Sequence, residues 1–140
     1  MQTLEYFPAM SQENVDAFRR GTEAINRGGL DIPELVHPEV VFEPLRSRTE
    51  GAFVGHEGMR RFIADTEEMF EMFQVTYTDV RDLGDRVLAI GSIRMRGKVS
   101  GVETDVPTAV IAEFRDGLLW RFHDHGDARS ALRAAARPES

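Results

Sequence analysis

The clearest pattern in the chain is a pair of apolar-rich runs on either side of a two-residue polar break. Ala109-Val110-Ile111-Ala112-Glu113-Phe114-Arg115 and Leu118-Leu119-Trp120-Arg121-Phe122-His123-Asp124-His125 flank Asp116-Gly117. Runs rich in β-branched and aromatic residues around Asp-Gly predict a β-hairpin with a two-residue turn. Upstream, over residues 87–99, the odd positions Val87, Ala89, Ile93 and Met95 are apolar, while the even ones change from Leu88 and Ile90 to Arg94, Arg96 and Lys98. This predicts a long strand with one face buried throughout and the other solvated towards Ser100-Gly101. Gly91 and Gly97 are expected to mark bulges that curl the sheet. Residues 75–80 read as a further strand, and residues 40–43 as a short one broken by Pro44.

The first half has a helical period instead. Ser11 is a good N-cap, and Val15, Phe18, Thr22 and Ile25 follow at helical spacing until Gly28-Gly29. Residues 1–10 show no period and read as an extension. Asp31 and Pro33 open a short second helix, ended by His37-Pro38. After a polar loop, Met59, Phe62, Ile63, Thr66, Met69, Phe70 and Phe73 form one stripe of a helix that follows His56-Glu57-Gly58. An alanine-rich helix over residues 128–136 closes the chain. Helices first and a meander of strands afterwards predict a single α+β domain over residues 11–136, with helices on one face of a bent antiparallel sheet. Such a cone has an open end suited to a small molecule.

Composition narrows the partners. The 140 residues include no cysteine, which excludes disulfides, a thiolate nucleophile and cysteine-ligated zinc. A net charge of −7 disfavours nucleic acid and anionic membrane as main partners. No run approaches the length of a membrane span, and the first ten residues lack a basic start and a long apolar middle. A soluble cytoplasmic protein is the expectation.

Several short strings then add a likeness: Glu13-Asn14-Val15, Asn26-Arg27-Gly28-Gly29, His37-Pro38-Glu39-Val40, Gly55-His56-Glu57-Gly58-Met59, Asp82-Leu83-Gly84-Asp85-Arg86-Val87 and Arg115-Asp116-Gly117. In this order they resemble the SnoaL-like (polyketide cyclase-like) branch of the nuclear transport factor 2-like superfamily, whose relatives include ketosteroid isomerase and limonene-1,2-epoxide hydrolase. The resemblance implies the cone-shaped α+β roll, a homodimer, and a small apolar metabolite as partner. It implies no cofactor. A shared fold hosts many chemistries, so it leaves the activity open.

Two carboxylates are the candidate catalytic groups. Glu43 precedes Pro44, and Val-Phe-Glu-Pro resembles the isomerase segment that carries its general base; at the floor of an apolar cone such a carboxylate suits proton abstraction. The alternative is an ion pair with Arg46 or Arg48. Asp124 lies in a string that resembles the last strand of the epoxide hydrolase, whose first aspartate is catalytic; the alternative is a carboxylate that satisfies turn amides. The resemblance is incomplete. Gly21 and Val110 stand about where the isomerase has its oxyanion-hole tyrosine and aspartate, and Gly91 and Ile93 about where the hydrolase has its arginine and aspartate. Phe18, Phe53, Phe62, Ile93, Val110 and Phe122 are expected to line the pocket, with Trp120 on the parity of Phe122. His123 and His125 alternate with Asp124 and should face away, and no metal site is expected. A non-catalytic module, with its cone plugged by its own side chains, is the alternative to an acid/base isomerase, cyclase or hydrolase.

Overall fold

Both residues of the Asp116-Gly117 turn take positive φ, 55° and 77°. That is the two-residue hairpin geometry the dipeptide favours, and it matches the twist of the strands it joins. The hairpin links β5 (Glu103–Arg115) and β6 (Leu118–Asp124), which sit at the centre of a six-stranded sheet of order β2-β1-β6-β5-β4-β3. The structure, a computed structural model, describes residues 2–137. β3 (Phe70–Asp82), β4 (Arg86–Gly97), β5 and β6 form the antiparallel meander, and β2 (Phe53–Val54) pairs antiparallel with β1 (Val36–Glu43). One pairing differs from the expected antiparallel sheet: β1 runs parallel to β6. The long connection through the rest of the domain makes that geometry available.

Helix α1 (Gln2–Arg27) packs across β3, β4 and β5, and α4 (Gly55–Met69) packs on β1. Both cover the concave face. α1 thus begins well before Ser11, the expected cap. The short α2 (Ile32–Leu35) starts where expected, with Asp31 accepting from the Glu34 N–H, and α3 (Ser47–Glu50) lies in the stretch read as a loop. α5 (Ala128–Ala135) lies on the convex face, where Leu88, Ala109, Ile111 and Ala131 are buried together. This explains the even positions of β4: they are apolar under α5 and charged beyond it. Arg94 pairs with Asp105 and Arg96 with Glu103 on that solvated part.

The helix stripe ends earlier than its period suggests. Phe70 and Phe73 belong to β3, not to α4. Partner positions run Phe70↔Gly97 and then Met72↔Arg96, so Glu71 is an extra residue in the ladder. A bulge there puts two residues three apart on one strand face, which imitates a helical repeat. A second bulge inserts Thr78 between Tyr77↔Gly91 and Asp79↔Ile90. Gly91 is required there: a Cβ would stand 1.8 Å from the Thr76 carbonyl oxygen. Both glycines therefore mark bulges, with the extra residue on the neighbouring strand.

The concave core has two adjoining parts. Val36, Val40, Phe42, Phe53, Met59 and Phe62 fill the space under α4, and Val15, Phe18, Val87, Ala89, Val110 and Ala112 fill that under α1. Burying each such large side chain stabilises the fold by about 1.5–3 kcal/mol. Between these parts the cone stays open. Among the described residues, no helix is long and apolar enough to cross a membrane.

Candidate functional site

The opening is a cavity of about 660 Å3 between α1, α4, the residue 44–50 loop and the concave sheet face. Its wall is mostly apolar and includes Phe18, Ile25, Phe62, Phe73, Ile93 and Phe122. Phe122 stacks on Phe42 with ring centroids 4.4 Å apart, and Phe42 meets Phe62 edge-on at 4.8 Å. These rigid contacts hold the wall in place. Gly21 also lines the cavity, and a Cβ there would meet nothing within 4 Å.

Strand alternation puts Thr108, Asp124 and Tyr77 on the cavity face. Val110 of β5 pairs with Asp124 of β6, and Gly91 of β4 pairs with both Thr108 of β5 and Tyr77 of β3, so the three face the cavity across four consecutive strands of the sheet. Asp124 is only 4% exposed. One of its oxygens accepts from the backbone N–H groups of Ala109 (3.2 Å) and Gly126 (2.9 Å). The other accepts a short hydrogen bond from the buried Thr108 hydroxyl. The Tyr77 phenol lines the same wall beside Thr108. Burial pushes the Tyr77 phenol well above its ordinary pKa, the Asp124 charge pushes it further, and the neighbouring Thr108 hydroxyl opposes both. Tyr77 is therefore a neutral O–H donor across the whole working pH range.

A cation closes the site at the loop. Arg46 lines the cavity and donates to the Phe62 carbonyl and the Thr66 hydroxyl, each at 3.0 Å. Its guanidinium lies 4.4 Å from the centre of the Phe62 ring. Beside it, Arg48 donates to the His125 carbonyl at 2.9 Å.

Of the residues expected in the pocket, Phe18, Phe62, Ile93, Phe122 and Asp124 line it. Four others lie elsewhere. Glu43 is on the opposite sheet face, because Phe42 points inward and strand alternation turns its neighbour outward. There its carboxylate is 4.0 Å from Nδ1 of His123, and neither Arg46 nor Arg48 pairs with it. Phe53 and Val110 are buried in the core behind the cavity wall. Trp120 is displaced by a register shift between Glu113 and Phe114 that leaves Leu119 facing the cavity. The Trp120 ring lies instead against the guanidinium groups of Arg115 (3.6 Å) and Arg121 (4.5 Å). The sequence pattern assigns no site role to Tyr77 or Thr108, and offers Arg46 only as an ion-pair partner for Glu43. For Tyr77 a signal existed, since it shares its alternation with Val75; Arg46 sits on an aperiodic loop and offered none.

His123 and His125 face outward as expected, with their rings stacked at 4.1 Å. Burial and the neighbouring His123 lower the His125 pKa, against smaller opposing effects of Asp124 and Glu43. Among the described residues, no three histidine or carboxylate groups converge to hold a metal ion.

Known structures share this architecture. Bal32a, from a soil-derived mobile gene cassette, is 25% identical over 91% of this chain and 98% of its own, with a TM-score of 0.72. TerC, co-crystallised with polyporic acid, is 19% identical over 89% and 99%, at 0.71. A protein from Jannaschia sp. CCS1 described as a SnoaL-like polyketide cyclase is 20% identical over 91% and 94%, at 0.69. No curated protein matches the chain. The profile of the SnoaL-like domain matches residues 5–122, and with this fold around it the chain belongs to the SnoaL-like domain family.

Proposed function

We propose that this protein binds a small, largely apolar metabolite in the cone and carries out cofactor-free proton transfer on it, with Asp124 as the acid/base group. One observation carries the reading: a buried carboxylate, fixed by Thr108, Ala109 and Gly126, in the wall of an apolar cavity of about 660 Å3. Two backbone amides and a hydroxyl position its oxygens before any ligand arrives, the preorganisation that proton transfer benefits from. Tyr77 supplies a neutral donor beside it, placed for an oxygen on which negative charge develops. The reaction class is isomerisation, cyclisation or hydrolysis. Glu43, on the outer face, has no part in it. The fold's use by TerC, crystallised with polyporic acid, supports a small-molecule role. A homodimer is part of this reading, on the strength of the family.

A second reading has its own support. The hydrogen bonds that hold Asp124 are also those of a carboxylate that only ties the β6 end to β5, and the protein is then a binding module without turnover. Proton exchange separates the two. Apolar carbonyl compounds that raise the melting temperature are incubated with the protein in D2O and followed by NMR. The wild type should exchange protons next to the carbonyl and Asp124→Asn should not. Equal exchange in both would remove Asp124 from the chemistry.

A further inference from the structure

We propose that the ligand carries an anionic oxygen function, a carboxylate or ionised enol, at one end of its apolar body, and that Arg46 receives it. This rests on the cavity being a ligand site, as argued above, and adds the chemical class of the ligand.

Arg46 is an under-compensated cation in an apolar wall. Its side chain is 17% exposed and packs against the Phe62 ring. A guanidinium has five N–H donors. Two are spent on the α4 backbone and side chain, at Phe62 and Thr66. The buried Nε has no hydrogen-bond partner among the described residues. The facing carboxylate, Glu50, stays 3.7 Å away and is itself half exposed. Burial is the largest influence on the Arg46 pKa and lowers it, and the nearby Glu50 and Asp65 charges offset this only in part. The site therefore favours added negative charge. A planar fork with free donors suits an oxyanion with two oxygens, and such charge-assisted bonds are about twice as strong as neutral ones. The polarity of the cavity sets the ligand's orientation. Asp124 repels an anion at its end, so the acidic group belongs beside Arg46 and the reacting carbon beside Asp124 and Tyr77.

A matched pair of planar compounds tests this: anthraquinone-2-carboxylic acid and its primary amide, titrated calorimetrically at neutral pH. The wild type should bind the acid at least tenfold more tightly than the amide. Arg46→Gln should abolish that preference while the amide affinity stays within about twofold. Glu50→Gln should tighten the acid alone by severalfold, since it removes a competing carboxylate. The gain should shrink when Glu50→Gln is made in an Arg46→Gln background, a coupling that a role for Arg46 only in bracing the loop onto α4 would not produce. If Arg46→Gln fails to fold, Arg46→Lys decides: it keeps the charge but loses the planar fork, and should lose most of the acid preference, whereas an unchanged preference overturns the assignment. Equal binding of acid and amide by the wild type overturns the Arg46 assignment and leaves the cavity reading standing. Binding of neither compound counts against the cavity as a ligand site, and the proposal falls with it.

Discussion

Truncation of Asp124 separates its structural part from its chemical one, and the structure gives the size of each. In Asp124→Ala, the N–H groups of Ala109 and Gly126 and the Thr108 hydroxyl all lose their acceptor. A buried donor without a partner costs about 1–3 kcal/mol. The Ala109 amide bears this fully, because Ala109 is completely buried. Gly126 lies at a part-buried turn within reach of water, and the Thr108 hydroxyl can rotate, so each bears less. The sum is about 2–5 kcal/mol, against a total stability of about 5–15 kcal/mol for a domain of this kind. Asp124→Asn keeps an oxygen for both amides and turns an NH2 towards Thr108, which limits the loss to about 1 kcal/mol. Urea denaturation followed by circular dichroism reads the difference. With a slope of about 1–3 kcal/mol/M, Asp124→Ala should lower the midpoint by about 1–2 M and Asp124→Asn by much less. Equal midpoints for the wild type and Asp124→Ala would refute the assigned hydrogen-bond network.

Other perturbations follow from the same geometry. Gly21→Phe places a ring in the open cavity and removes a helix-interior glycine, so it should raise the melting temperature while abolishing ligand binding; calorimetry and titration check both. Gly91→Ala forces a Cβ onto the Thr76 carbonyl oxygen and opens the bulge that aims Tyr77, and it should cost about 3 kcal/mol or more in urea denaturation. Because the folded-state pKa of His125 is lowered below its ordinary 6.5, the unfolded chain takes up that proton first on acidification. The His125 contribution is then complete above that value and lost as pH falls below it. His125→Gln should flatten the stability profile on the acid side of pH 6.5, measured by denaturation across pH.

The fold was legible because most of it depends on local rules. Asp116-Gly117 specifies its turn, and alternation along β4 shows both the buried face and where α5 stops covering the other. The family strings supplied the cone. The site was legible only where alternation holds. Asp124 and Phe122 follow it, and so would Glu43, since an inward Phe42 forces its neighbour outward; the likeness to a catalytic string outweighed that simpler rule. Alternation misplaces Trp120, and the helical period misplaces Phe70 and Phe73, because bulges change the count by one residue, and a bulge is settled by pairing between strands. Arg46 is positioned by α4, sixteen and twenty residues further along the chain, and no local pattern announces such a contact.

A small apolar metabolite held in the cone beside Asp124 should travel with the protein through purification. Native mass spectrometry of the purified protein, compared with the denatured mass and with Gly21→Phe, tests it most directly. A non-covalent mass increment should appear on the wild type, disappear on denaturation and be missing from Gly21→Phe. An increment that Gly21→Phe retains would place the bound molecule outside the cavity and contradict a ligand site in the cone.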